Sequence, residues 1–482
     1  MILISIIIIL SCFIGVIILI VLEKMNRAIA ALLGAIITYF VLIFLEGYDF
    51  SIVVALLFGT PEDGYVNLHS LILIIAMMII VLISHEAGLF QFFAIKLIKL
   101  SGAKPVRLMI IMCFITFIIS AVLNNILTVI ILIPLTITIS RMLNTNPTPY
   151  ILTQAILVNI GGTFFSISSI PNILITTYAK ISFLEFFLNV GLISMIIFFF
   201  TLIFFLFLYK GELYIPEEGS KVLKEFNVWN VVQNKKLLYM SMISLFILII
   251  LLIIVPSSFI PSSIIALSIA IVLIIISRLE PKELISKIDF ELIFYLLGIF
   301  IIAGAIEITG ITSLLGKIIA NLGRDSFLIQ LILILWISAF LSSTIDNIPI
   351  TKVLIPVVGS MSSNETSENK NLMFYSLAIG ANWGDNLTPL GDNILVVNIA
   401  EQNKRPISFR QFFKLGFITT IFQLSIITVI FILIFQFVIG IIICLTIILI
   451  IIFIYLTQKF GPRSLRLKIN KFINKIRYKI IR

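Results

Sequence analysis

The sequence predicts an all-α polytopic membrane protein with two inverted repeats, each containing a re-entrant hairpin and a broken transmembrane helix. Of its 482 residues, 61% are hydrophobic and only 12% are charged, a composition too apolar for a soluble globule. Apolar runs long enough to cross a bilayer as helices recur throughout, without the alternating pattern of a membrane barrel. Polar segments rich in glycine, asparagine and proline interrupt these runs at related positions.

Basic residues predict which loops are cytoplasmic. Lys24 and Arg27 follow the first apolar run, whereas the loop from residue 46 to 63 contains no lysine or arginine and is predicted to lie outside. Residues 459–482 carry nine lysines and arginines and no acid. We expect this tail to lie on the cytoplasmic side against anionic lipid, and not to bind nucleic acid.

The second half resembles the first when Asn125 is aligned with Asn347, an alignment that defines the repeat register. Glycine, serine and proline matches are informative in so apolar a chain, and this register also pairs Gly88 with Gly310, Ser120 with Ser342, Pro134 with Pro356, and Gly162 with Gly384. The loop charges give the two halves opposite orientations, an arrangement typical of secondary transporters. The predicted segments are N-terminal spans in 1–67, a first inverted repeat in 68–209, a cytoplasmic loop in 210–236, linking spans in 237–277, a second inverted repeat with its following span in 278–438, a last span in 439–458, and a basic cytoplasmic tail in 459–482.

Four segments are predicted to break the spans. Residues 105–141 and 327–360 are too long for one crossing and too short for two, so each is interpreted as a hairpin with its polar tip inside the membrane. After each hairpin comes a span interrupted by glycine and proline, in residues 159–172 and 382–393. Unwound backbone is tolerated at membrane depth only where it lines a protein cavity, so the four breaks are expected to face one another.

The aspartates of the predicted breaks all lie in the second half. An aspartate at the centre of a spanning helix costs roughly 2.5–3.5 kcal/mol, which indicates a function for Asp346, Asp385 and Asp392. With Asn347, Asn386, Thr388 and Asn393 they can carry a proton or coordinate a hard cation such as sodium, at Asp346 and Asp385 in particular. The first half offers neutral groups for hydrogen bonding, namely Asn124, Asn125, Ser166, Ser168, Ser169 and Asn172. Lys352 either pairs with a site aspartate or extends to the outer surface.

These segments resemble the ion transporter superfamily, which includes arsenite efflux permeases, D-type sodium/proton antiporters, pink-eyed dilution proteins, and citrate and dicarboxylate carriers. The stretch "GDNLTPLGDN" is similar to the Gly-x-Asn-Ile-Thr-Pro-Ile-Gly form of arsenite permeases, while the Ser-Asn-Thr tips of dicarboxylate carriers are missing. The resemblance implies substrate or ion contacts at Asn124, Asn125, Asn159, Gly161, Gly162, Asn172, Asp346, Asn347, Asp385, Asn386, Thr388 and Gly391.

The expected function is secondary active transport in the plasma membrane by a multi-pass protein without a cofactor. A proton-coupled antiporter that exports arsenite or a similar small inorganic solute is preferred, with a sodium/proton antiporter and a citrate or dicarboxylate carrier as alternatives. The sequence contains no Walker-type loop, so any ATPase would be a separate subunit; a homodimer also stays open. An enzyme is not expected, because Asn382 stands where an intramembrane aspartyl protease has the first glycine of Gly-x-Gly-Asp. A passive channel is the other rival.

Overall fold

A computed structural model describes residues 2–22, 24–102, 104–216, 227–323, 326–363, 365–389, 393–460 and 462–481. Every regular element within these ranges is helical, which confirms the all-α class. Ten helices in these ranges have the length and apolar composition needed to cross a membrane. Gly391 and Asp392, both predicted site residues, lie outside the described residues.

The helices fall into three groups along the chain. Those before and within the first predicted repeat are α1 (Ile2–Val21), α2 (Arg27–Phe44), α3 (Ser51–Phe58), α4 (Val66–Glu86), α5 (Leu89–Lys99), α6 (Pro105–Ser120), α7 (Asn125–Met142), α8 (Thr148–Gly161), α9 (Ile170–Ala179) and α10 (Phe183–Tyr209). The linking helices are α11 (Lys235–Ile254), α12 (Ser262–Ser277) and the short α13 (Pro281–Ser286). The remainder are α14 (Phe290–Ile308), α15 (Ile311–Leu322), α16 (Phe327–Thr344), α17 (Asn347–Met361), α18 (Ser367–Gly384), α19 (Asn393–Gln402), α20 (Phe409–Phe435), α21 (Phe437–Phe460) and α22 (Arg463–Ile481).

Helix starts follow the repeat register. The first residues of α5 and α15, of α6 and α16, and of α7 and α17 are aligned in it. Gly88 and Gly310, which precede α5 and α15, have φ angles of 76° and 78°, a left-handed conformation that glycine adopts without a steric penalty. The repeat therefore extends from sequence to backbone, while the opposite orientation of its halves stays a prediction.

Each predicted hairpin consists of two helices joined by a short polar break. Asn124 caps α7 by accepting a hydrogen bond at Oδ1 from the Leu127 amide at 2.8 Å, and Asp346 caps α17 by accepting one from the Ile348 amide at 3.3 Å. Such caps satisfy amides that have no partner within the helix. The two tips thus share a backbone design although their capping side chains differ in charge.

Each broken helix packs closely against the hairpin of its own half. A Cβ at Gly161 would lie 2.6 Å from the Phe117 carbonyl oxygen, and one at Gly384 would lie 2.2 Å from that of Ala339. Phe117 and Ala339 are aligned in the repeat register, whereas Gly384 stands one position beyond the residue aligned with Gly161. Sequence matching paired Gly384 with Gly162, which is wrong by one position: the second half has one extra residue between its hairpin and its break.

The two halves also exchange contacts. Helix α7 of the first hairpin packs against α19, and α17 of the second hairpin packs against α9. An Arg141 guanidinium nitrogen at the end of α7 donates to the Asn403 carbonyl at 2.7 Å. This cross-packing brings the hairpin tips close to the breaks.

Candidate functional site

The two hairpin tips meet at a small cavity. Asn124, Asn125 and Asn347 line it together with Ser169 from the first break. Its volume of about 20 Å³ suffices for one water molecule. The predicted approach of the two tips is therefore present, and both tips offer amide groups to the same space.

Asp346 points to a different neighbour. Its Oδ2 accepts a hydrogen bond from the Tyr295 hydroxyl on α14 at 3.2 Å, and Asp346 does not line the cavity between the tips. Tyr295 is fully buried, and the Arg27 guanidinium lies 5.8 Å from its ring centroid. Of the residue pair at the second tip, only Asn347 faces Asn124 and Asn125.

A row of asparagines connects the first tip to both breaks. Asn125 Nδ2 donates to Asn159 Oδ1 at 2.6 Å, and Asn159 Nδ2 donates to Asn386 Oδ1 at 2.7 Å. Asn386 Nδ2 then donates to the Ile156 carbonyl at 3.0 Å. Asn125 Oδ1 is buried without a hydrogen-bond partner in the described part of the chain. A buried acceptor of this kind is rare in a folded protein, and here it is available to a bound solute or cation.

Asp385 lies beside this row, next to Asn159, and is only 2% exposed. Its Oδ2 accepts hydrogen bonds from Asn393 Nδ2 at 3.3 Å and from Asn159 Nδ2 at 3.4 Å, both long. Asn393 Nδ2 also donates to the Asp385 main-chain carbonyl at 2.8 Å. The carboxylate is thus placed among neutral amides contributed by both halves.

A second set of hydrogen bonds connects Asn382 of the second break to the first break. Asn382 Nδ2 donates to Asn172 Oδ1 at 2.8 Å, and the Ser169 hydroxyl donates to Asn382 Oδ1. Asn172 Nδ2 and the Ser168 hydroxyl both donate to the Gly162 carbonyl, at 2.8 and 2.7 Å. Asn159 and Asn382 stand at equivalent positions once the extra residue of the second half is counted, and each reaches the break of the other half.

Asn382 and Tyr295 were not among the predicted site residues. The repeat register, corrected by one position at the breaks, would have identified Asn382 as the partner of Asn159. Thr388, which was predicted, donates from its hydroxyl to the Ser343 carbonyl at 2.5 Å and so ties the second break to its hairpin. Ser166 was also predicted, but it lines a separate cavity with Asp63 and not the asparagine row.

Lys352 pairs with an uncharged amide rather than with a site aspartate. Its ammonium donates to Asn67 Oδ1 at 2.6 Å and lies 4.8 Å from the centroid of the Phe300 ring. Asn67 is itself held in place, because its Nδ2 donates to the Leu56 carbonyl at 2.7 Å. The contact joins the second hairpin to α4.

A larger cavity of about 250 Å³ leads from Asn124 toward the end of α4 that is predicted to be cytoplasmic. Its lining there includes His85, Lys287 and Asp289. Glu86 and Glu283 bind the Lys287 ammonium at 3.0 Å each, and these contacts raise the pKa of Lys287. The first hairpin tip is therefore accessible from this side.

Residues 17–380 match the citrate transporter family. The chain is 27% identical over 408 residues to the 46 kDa membrane protein of Mycobacterium leprae, a match that covers 83% of this chain and 92% of that protein. It is 26% identical over 413 residues to an uncharacterized transporter of Mycobacterium tuberculosis, covering 85% and 94% of the two chains. The human P protein is 26% identical over 488 residues, with 84% of this chain and 57% of that protein covered.

The solved structure of the YdaH transporter of Alcanivorax borkumensis has a similar fold. The TM-score is 0.56 at 12% identity, over 79% of this chain and 87% of that chain. At this identity the likeness concerns the fold alone. Together with the family match, these comparisons confirm the resemblance to the ion transporter superfamily.

Proposed function

We propose that this chain, which belongs to the citrate transporter family and is a multi-pass membrane transporter, is a proton-coupled antiporter that exports arsenite or a similar small inorganic solute. The observation that supports the proposal is the buried Asp385 carboxylate beside the asparagine row, in contact with Asn159. It combines a titratable group with neutral groups for hydrogen bonding in one site.

The neutral groups favour an uncharged solute. At neutral pH arsenite is present as uncharged As(OH)3. Its hydroxyl groups both donate and accept hydrogen bonds, as asparagine amides and serine hydroxyls do. None of the described residues that line the cavity between the tips is basic, and the Lys352 ammonium is directed to Asn67. Citrate carries several negative charges at neutral pH and would need cationic partners there, so a polycarboxylate is the less suitable substrate.

Protonation of Asp385 supplies a physical basis for antiport. The ionised carboxylate only accepts hydrogen bonds, whereas the protonated carboxyl also donates. A proton on Asp385 would therefore weaken the contacts with Asn159 and Asn393 and reorder the row that ends at Asn125. In the proposed cycle, proton and solute binding exclude each other through this change.

Sodium/proton antiport is the second candidate, and the Asn125 Oδ1 atom favours it. Hard cations are bound by carboxylate, amide and carbonyl oxygens. Asn125 Oδ1, which lacks a hydrogen-bond partner among the described residues, and the Asp385 carboxylate both border Asn159. A sodium ion that drew these oxygens together would use the same carboxylate as the proton.

The test is flux in proteoliposomes under an imposed pH gradient, with arsenite, sodium and citrate as probes. We expect uphill arsenite movement that Asp385→Asn reduces to the level of empty liposomes, while the melting temperature of the purified variant stays close to that of the wild type. Asp49→Asn is the matched control, because Asp49 is an exposed loop residue. Sodium flux without arsenite flux would favour the second candidate, and citrate as the only solute moved would contradict both.

A further inference from the structure

A second polar cavity lies at the other end of α4. It has a volume of about 280 Å³ and is bounded by residues of α4, α9 and α12, with Ser166 from the first break in its wall. Ser166 is only 5% exposed, and its hydroxyl makes no hydrogen bond with the described part of the chain. The Ser166 hydroxyl therefore faces the cavity and is available to hydrogen-bond a small solute that enters it.

The lining is rich in hydroxyl groups. Seven of the sixteen residues around the cavity are serine or threonine. Thr176 and Ser263 are 7% and 2% exposed, so they belong to the inner wall. The Ser263 hydroxyl lies 2.7 Å from Nδ1 of His69. Hydroxyls donate and accept equally, which suits a solute whose own groups are hydroxyls.

The formal charges of the lining cancel, with His69 counted as neutral. Lys180 contributes one positive charge and Asp63 one negative charge. The Asp63 carboxylate is also engaged by its own loop, since it accepts from the Thr60 amide at 3.0 and 3.1 Å and from the Val66 amide at 3.3 Å. This balance favours an uncharged solute over a polyanion.

The first break separates this cavity from the central site. Ser166 lines the outer cavity, whereas Ser168 and Ser169, two and three residues later, line the spaces next to Asn124. A solute that leaves the asparagine row for the outer side has to pass this short segment.

We propose that the outer cavity is a second binding station that takes a small, uncharged, hydroxylated solute on its way out. The station rests on the proposed function, because it receives the same solute class. Ser166 and Ser263 are its buried hydrogen-bonding residues, and Thr177 forms part of its more accessible wall.

Equilibrium dialysis of the purified full chain against arsenite tests this station directly, with bound arsenic counted by mass spectrometry. We expect Ser166→Ala/Ser263→Ala to weaken one of two bound equivalents by about tenfold, since each lost hydrogen bond contributes about 0.5–1.5 kcal/mol. Ser140→Ala is the control, because it removes a serine hydroxyl from α7, away from the outer cavity, that has no hydrogen-bond partner among the described residues. Any arsenite bound by the three cysteine thiols is the same in all samples, so it cancels when the bound amounts are compared.

A second variant tests the same cavity without changing a buried residue, so that a folding defect of the first variant cannot explain both results. Thr177 is only half-buried, so Thr177→Trp should fill the cavity without disturbing the inner wall, and it should remove the same equivalent. Identical arsenite binding by the wild type and both variants would overturn the outer station and leave the proposed function standing. If the wild type shows no pH-driven arsenite flux but still binds an equivalent of arsenite that Ser166→Ala/Ser263→Ala weakens, the transport proposal is wrong and the outer station is supported.

Discussion

The two hairpin tips have the same backbone but different chemistry. Helices α7 and α17 start at aligned positions of the repeat and are capped by Asn124 and Asp346. Asn124 lines the cavity between the tips, whereas Asp346 accepts a hydrogen bond from Tyr295. The position equivalent to Tyr295 in the first half is Leu73, which offers no hydrogen-bond donor. The charged tip thus occurs in the half where a neighbouring residue donates a hydrogen bond to it.

The two helix breaks also share their packing but differ in side-chain chemistry. Gly161 and Gly384 make equivalent contacts with the hairpin carbonyls of their own halves. The next position holds Gly162 in the first half and Asp385 in the second. Packing is therefore symmetric, and the carboxylate that the proposed mechanism needs occurs on one side only.

The largest expected effect concerns the orientation of the two halves. With the three native cysteines replaced by alanine, Lys104→Cys and Asn146→Cys flank the first hairpin, and Ser326→Cys and Ser363→Cys flank the second. We expect an impermeant maleimide to label the first pair only from the cytoplasmic side and the second pair only from outside. If the members of either pair react from opposite sides, that hairpin is a full crossing and the inverted repeat is wrong.

Exchanging the tip charges is the next test. Asp346→Asn should lower gradient-driven transport by about tenfold or more, because a hydrogen bond to a charged group contributes about 1.5–3 kcal/mol. The double variant Asn124→Asp/Asp346→Asn should not regain activity, since no hydroxyl like that of Tyr295 stands at Leu73. Tyr295→Phe serves as the milder variant of the same contact. Full activity of the exchanged protein would show that the two tips are interchangeable.

The glycines should respond alike in both halves. Gly161→Ala and Gly384→Ala place a methyl group against a backbone carbonyl, and such overpacking costs about 1–3 kcal/mol. We expect a lower melting temperature for each purified variant in detergent. Gly15→Ala is the control, because a Cβ there has no neighbour within 4 Å. A clear loss in only one half would mean that the two packing contacts are not equivalent.

The smallest effect is expected at Lys352. Its ammonium bonds to uncharged Asn67, and Asp346 bonds to Tyr295, so Lys352→Met should leave the pH optimum of transport in place. Lys317→Met on the exposed face of α15 is the control. An upward shift of the optimum would place Lys352 beside a site aspartate at another stage of the cycle.

The sequence was sufficient to predict the helical class and the helix breaks before Asn125 and Asn347, because composition and the spacing of glycine, asparagine and proline are local signals. The one-residue shift at the breaks could not be read in the same way. Gly161 and Gly162 are adjacent in the sequence, and what distinguishes them is their neighbours in the fold: a Cβ at Gly161 would meet the Phe117 carbonyl, whereas one at Gly162 would meet Asn125 Oδ1. The Asn67 partner of Lys352 was missed for a similar reason, since it lies 285 residues away and a single asparagine carries no positional signal. Ser166 belongs to an irregular segment, where no periodicity indicates the direction of a side chain.

The contact between Lys352 and Asn67 has a consequence for biogenesis. A lysine in the second hairpin is costly in lipid until its ammonium finds a polar partner, and that partner is on a helix made 285 residues earlier. Asn67 donates a hydrogen bond to the Leu56 carbonyl within the N-terminal part. The acceptor for the lysine is therefore synthesised before the second hairpin. We therefore expect α3 and α4 to fold before the second hairpin is stably inserted, and substitutions near Leu56 to slow that insertion.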